Sequence, residues 1–215
     1  MRKEKQAPVI WLGVFAVLGV FAVVALVAGQ AYRDALREMQ IRADEEARLI
    51  TEYSDRVFQA VDIVLQQLVN RYEVTPWNYI TNNRTIWHQI NELADALPQM
   101  RSIWFTDQNG YMQMYSGEWP TPQHDSIDRD YFAAHASGSN VGLHLAEPLA
   151  GKYTGRWFVP VSRAFIAAEH SFRGVITAAV EPAYYIPKLR EHSVCDQCSV
   201  TVARSDGVVL MGADP

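Results

Sequence analysis

The stretch Asp128-Arg129-Asp130-Tyr131-Phe132-Ala133-Ala134-His135 sets two carboxylates, a guanidinium, a phenol and an imidazole close together. Side chains of these types serve acid–base catalysis and ligand binding equally well. On a helix, Tyr131 and His135 stand four apart and share a face, while Phe132 points elsewhere, towards a core. Asp125, Ser126 or Asp128 can cap the helix N-terminus, and Asp128 and Asp130 suit its first turn by charge. Catalysis asks for more: a nucleophile or general base with a partner that orients it. The sequence contains no G-x-S-x-G and no H-E-x-x-H. We therefore expect these residues to grip a ligand without transforming it. The chain is expected to have no enzymatic activity of its own, no cofactor and no metal site.

The elements that place this stretch begin with an anchor. Residues 9–29 carry no charged side chain and would form about 30 Å of helix, roughly one bilayer core. The run is longer than the apolar part of a cleaved signal peptide, and Val27-Ala28-Gly29 is a poor cleavage site. Arg2, Lys3 and Lys5 precede the run, so the N-terminus is expected in the cytoplasm and everything after Gln30 outside. Setting aside Arg2, Lys3, Glu4 and Lys5 takes the totals of 19 basic and 24 acidic residues to 16 and 23, a net charge of −7. That balance argues against nucleic acid as a partner.

Beyond the anchor, Ala31 to Tyr72 holds neither proline nor glycine. Apolar or small residues recur in steps of three and four at Leu36, Met39, Ala43, Ala47, Ile50, Tyr53, Val57, Val61, Val64 and Leu68, the pattern of one long helix. Its lower part is expected to pair with a second copy of the chain, and its upper part to pack on its own domain. Pro76 breaks it, and a second helix from about Arg84 ends at Pro98. The rhythm then turns strand-like, with an Asn-Gly turn after "RSIWFTDQ".

The spacing predicts an α+β design: a transmembrane helix, a long stalk helix, and an antiparallel sheet of five strands with helices on one side. The boundaries are a tail over 1–8, the span over 9–29, the stalk over 30–73, a membrane-distal module over 74–182, and a linker helix with one hairpin over 183–215. That hairpin, "CSVTVARSDGVVLMGA", repeats the strand–turn–strand of "RSIWFTDQNGYMQMYS", and two strands cannot bury a core alone. It is expected to open a second, truncated module. Cys195 and Cys198, in "CDQC", read most simply as a small disulfide loop in an oxidising exterior, with free thiols the alternative. A redox pair would need a helix N-terminus after a strand, and a zinc site two further ligands.

Four blocks in this order resemble the double-Cache family of extracytoplasmic, PAS-like sensor domains: "RSIWFTDQNG", "SIDRDYFAAH", "EPLAGKYTGRWFVPVSR" and "FRGVITAAVEPAYY". With the long helix they cover about residues 31–190. The resemblance implies a small-molecule pocket in the membrane-distal module. It also implies an output domain outside this sequence, a diguanylate cyclase first, or else a histidine kinase or chemoreceptor signalling domain. A membrane-anchored binding or adaptor protein without an output domain is the alternative from another class. Amino-acid-binding members carry an Arg-x-Trp-Tyr motif at the pocket helix. Here Arg129 takes the arginine position, Tyr131 the tryptophan and Phe132 the tyrosine. A later tyrosine of the family falls at Leu149, and the aspartate that holds an ammonium falls near Ala179. An ordinary α-amino acid is therefore not expected. Alternation along "GRWFVPVSR" puts Trp157, Val159, Val161 and Arg163 on one face of a strand. That face is assigned to the pocket, with Arg163 meeting an anion or else a structural carboxylate such as Glu147. The expected ligand-binding set is Tyr115, Arg129, Asp130, Tyr131, His135, Trp157 and Arg163, and the favoured ligand a small carboxylate or other anion.

Overall fold

The computed structural model describes residues 7–138, 142–151, 155–191 and 198–213. Helix α1 (Ala7–Tyr72) begins in the first of two compact units, Met1–Ala47, and ends in the second, Arg48–Pro215. Among the described residues it is the one helix long and apolar enough to cross a membrane. Trp11, Leu12, Phe15, Leu18 and Phe21 are all exposed along that part. Further on, pairs such as Arg42–Glu38 at 2.6 Å line an exposed helix surface. Each contributes a few tenths of a kcal/mol at most, about 0.3–0.5.

In the second unit α1 becomes a core helix. Ile50, Val57, Phe58, Val61, Leu65, Leu68 and Tyr72 are buried, from Phe58 onward in steps of three and four. Past Tyr72 the chain turns, and the exposed carbonyls find a donor from the sheet. The Arg173 guanidinium donates to the carbonyls of Tyr72, Glu73 and Thr75 at 2.9, 2.7 and 2.6 Å. Helix α2 (Trp77–Asn82) follows Pro76, and Asn83 caps α3 (Arg84–Asp95) by accepting from the Thr85 and Ile86 amides.

The sheet comprises β1 (Met100–Asp107), β2 (Met112–Tyr115), β3 (Leu143–Leu145), β4 (Leu149–Ala150), β5 (Trp157–Ile166) and β6 (Phe172–Val180). The order is β2-β1-β6-β5-β3, every pair antiparallel, with β4 a sixth, two-residue strand on β5. Central strand β6 passes β1 so closely at Gly174 that a Cβ there would lie 1.8 Å from the Thr106 carbonyl oxygen. Only glycine fits that crossing at its φ of +147°.

Period two divides the strands between two cores. Ile103 and Phe105, Val159, Val161 and Phe165, and Ile176, Ala178 and Val180 face the cluster built with α1, α2 and α3. Trp104, Phe158, Val175 and Ala179 face the other way, onto Tyr131 and Phe132 of α4 (Asp130–Ala136). The expectation of helices on one side is thus corrected: α4 covers the opposite face. Helix α5 (Pro182–Glu191) contains Pro187, and its Tyr185 and Leu189 are buried with Leu210 and Met211 of β8. Strands β7 (Val200–Ala203) and β8 (Val209–Ala213) form a separate two-stranded sheet. Cys198 is disulfide-bonded, and Cys195 lies outside the described residues.

Candidate ligand-binding site

Between α4 and the sheet lies a cavity of about 80 Å³, room for several water-sized groups. Strand β1 contributes Arg101, Ser102 and Trp104. Two neighbours, Arg101 and Ser102, reach the same cavity because the β1–β6 register shifts between Met100 and Ser102. Such a bulge re-aims a side chain that strict alternation would send to the far face. Met112 and Tyr115 come from β2, and Pro122 and His124 from the loop after it. Arg129 and Tyr131 close one wall, Leu149, Gly151 and Phe158 another, and Ala179 of β6 forms part of the floor.

The walls are aromatic. Trp104 meets Tyr131 edge-on at 5.6 Å between ring centroids and Phe158 at 5.8 Å. The Tyr131 hydroxyl donates to Ser126 Oγ at 3.0 Å, and burial pushes its pKa up. The buried Trp104 Nε1 makes no hydrogen bond, although it lies near enough to that hydroxyl to favour its ionised form.

The charged groups are cationic. The Arg129 guanidinium is only 23% exposed, and its acidic neighbour Asp128 stands 3.8 Å away and well out in solvent. Arg101 lies over the Phe158 ring at 5.1 Å and donates to Glu181 at 3.1 Å. That carboxylate is shared, because Arg156 reaches it at 2.9 Å.

Three of the seven expected residues, Tyr115, Arg129 and Tyr131, thus come together at the cavity, and four do not. Arg163 sits on the far face of β5 and forms a two-pronged ion pair with Asp62 of α1, one prong at 2.9 Å. The carboxylate it meets is Asp62, not Glu147. Trp157 is 64% exposed at the start of β5. The alternation of β5 is as expected, but the cavity lies on the Phe158 and Ser162 side. Both faces of this strand are buried, so periodicity alone could not choose between them.

Asp130 is turned outward and accepts from or donates to nothing in the cavity; its carboxylate meets His144 Nε2 at 3.0 Å. Capping is also reassigned: α4 has Arg129 at its N-cap with no side-chain cap, whereas Asp125 accepts from the Ile127 amide one turn earlier. His135 points into the protein, 3.0 Å from Ser162 Oγ, and Ser162 donates to the Tyr131 carbonyl at 3.2 Å. A serine beside a histidine invites comparison with a nucleophile and its base. Here the serine proton is committed to a carbonyl, Ser162 is fully buried, and His135 Nδ1 has no partner to orient it. The pair ties α4 to β5. His135 and Arg163 also border a second hollow of about 460 Å³, whose rim includes Gly138 and Gly142.

Arg101, Trp104 and Phe158 are among the lining residues outside the expected set. For Trp104 and Phe158 alternation separates them from Ile103 and Phe105, and from Val159 and Val161, but with both faces buried it does not say which face meets the cavity. The bulge that aims Arg101 has no sequence signature. Among the described residues, no group of three His, Cys, Asp or Glu is arranged to hold a metal ion.

A scan of protein-family models and a search of curated proteins each returned no match for this sequence. Solved structures do match. The extracellular domain of the putative histidine kinase rpHK1S-Z16 superposes with a TM-score of 0.67 at 25% identity, over 77% of this chain and 67% of that one. The sensor domain of the Vibrio cholerae histidine kinase DctB gives 0.63 at 15% identity, over 84% and 67%. The ligand-binding domain of the Campylobacter jejuni chemoreceptor Tlp3, solved with L-valine, gives 0.60 at 9% identity, over 84% and 72%.

Proposed function

We propose that this chain, whose fold is that of the extracellular, Cache-like sensor domains of histidine kinases and chemoreceptors, is the ligand-sensing region of a membrane-bound signalling protein. The observation that carries the reading is the cavity beneath α4, a set of aromatic walls with two guanidinium groups converging on it. Apolar hollows with a few convergent polar groups are where small molecules bind. The ligand is a small carboxylate or other anion, held by Arg101, Arg129, Trp104, Tyr115 and Tyr131. Domain 74–182 is the sensing module, outside the membrane, with the N-terminus in the cytoplasm. Occupancy is relayed through α1 by a shift between two packing states, which requires the ligand to prefer one of them. The chain acts as a homodimer paired along the exposed Leu36 and Met39 part of α1. The output is a cytoplasmic domain outside this sequence, a diguanylate cyclase in our first reading. The likeness to histidine-kinase and chemoreceptor domains favours those outputs as the second.

A metabolite thermal-shift screen on the full chain in lipid discs tests this. Hits should lose their stabilising effect in Arg129→Gln and keep it in Arg163→Gln. The reverse pattern would move the site to the other face of the sheet.

A further inference from the structure

We infer that the cavity selects an organic carboxylate carrying a flat apolar body and no ammonium group. This rests on the reading of the cavity as the ligand site, and it assigns the chemical class of what enters.

The charge balance is the first ground. No aspartate or glutamate lines the cavity among its described residues. Glu181, the nearest carboxylate held by a lining residue, is already divided between Arg101 and Arg156. Asp128 stays in solvent at 3.8 Å from Arg129. An entering ammonium would lose its water, meet two guanidinium groups, and find no carboxylate. Burying a cation on those terms costs several kcal/mol. An entering carboxylate meets the opposite situation: two planar fork donors, one of them hardly compensated, in a partly desolvated place.

The walls are the second ground. Trp104, Tyr131 and Phe158 meet edge-to-face, and Met112 and Leu149 complete an apolar lining. Offset and edge-on contacts favour a planar guest over a branched polar one. At about 80 Å³ the enclosed space is smaller than the roughly 150 Å³ that houses a benzene ring, so the guest is small and leaves part of its flat body at the open side. The third ground is the Trp104 N–H, buried beside the Tyr131 hydroxyl but without a hydrogen bond of good geometry. A carboxylate or carbonyl oxygen would satisfy it, whereas an ammonium would not. Leu149 and Ala179, both at the wall, offer no polar group to a second functional arm of the ligand.

The test uses three probes with one body: 3-phenylpropanoate, phenylalanine and 2-phenylethylamine, titrated by calorimetry into the full chain in lipid discs. The expected result is binding of 3-phenylpropanoate, weakening by at least about tenfold for phenylalanine, and no binding of the amine. Arg129→Gln should abolish the carboxylate signal and Arg129→Lys should recover part of it, which separates lost charge from misfolding. Trp104→Phe should weaken it several-fold while keeping the wall. Phenylalanine binding as tightly as 3-phenylpropanoate, any binding of the amine, or no binding of the carboxylate at millimolar concentration would overturn the assignment. A screen hit of another class that depends on Arg129 would sink this inference and leave the cavity standing as the site. A hit indifferent to Arg129 would sink both.

Discussion

His135 shows how much a single buried side chain can reveal. Burial first, and then the neighbouring His144, bring its pKa down from the ordinary 6.5 to about 4, while the bond to Ser162 and the charge of Asp130 work the other way. The folded protein therefore holds it neutral. A histidine whose folded pKa is depressed contributes its full stability above the unfolded pKa. As pH falls from 6.5 towards 4 the unfolded chain takes up the proton first, and stability declines until the folded state protonates too. The melting temperature should drop across that window, by an amount on the order of a few kcal/mol in stability. In His135→Gln, which keeps a donor for Ser162, that part of the decline should vanish; an unchanged pH profile would show that His135 is not the group responsible. The same residue marks a limit of sequence reading. Tyr131 and His135 do share a helix face, but Tyr131 ends beside the cavity and His135 beside Ser162. Spacing on a seven-residue helix cannot tell which end of its inner face meets open space.

At the scale of elements, the sheet and the long helix are joined by arginines. Arg173 caps three carbonyls after α1 and lies over the Phe165 ring at 4.4 Å and the Trp77 ring at 5.2 Å. Arg173→Ala would leave those carbonyls short of a donor at a half-buried turn, and should cost about 2–4 kcal/mol in urea unfolding. Arg173→Lys should recover less than half, since the three donors of an ammonium radiate from one nitrogen while the three carbonyls are reached from two; full recovery by lysine would mean that charge alone matters. Arg163 and Asp62 form the second joint, and removing either partner leaves a half-buried charge. The long helix, the helix after Arg84 and the succession of strands along the chain were legible from periodicity, whereas α2 and the order of strands in the sheet were not. The ion pairs were not, because Asp62 and Arg163 lie about a hundred positions apart and nothing local links them. For the same reason the expected set took the Trp157 and Arg163 face of β5, whereas the cavity under α4 borders Phe158 on the other face.

For the whole molecule, the sequence order of four blocks after an apolar span pointed to a Cache-type sensor, and the superpositions agree on that fold. The family likeness came from the blocks themselves; composition carried only the span and the long helix, because a charge-free run and a glycine-free helix are insensitive to the fine placement of side chains. The proposed orientation, N-terminus in the cytoplasm, rests on the three N-terminal cations and is open to direct measurement. Alkaline phosphatase fused after residue 47 should be active in cells and green fluorescent protein at the same point dark; the opposite result would invert the orientation. The cationic lining of the cavity has a consequence in another setting, the salinity of the surroundings. Arg101 and Arg129 line it with no carboxylate among its described lining residues, and positive charge so placed attracts an anion over a distance set by the ionic atmosphere, about 8 Å at 0.15 M salt. The same ligand concentration would then fill more cavities in dilute water than in brine, so the receptor would report its ligand weighted by the saltiness of the medium.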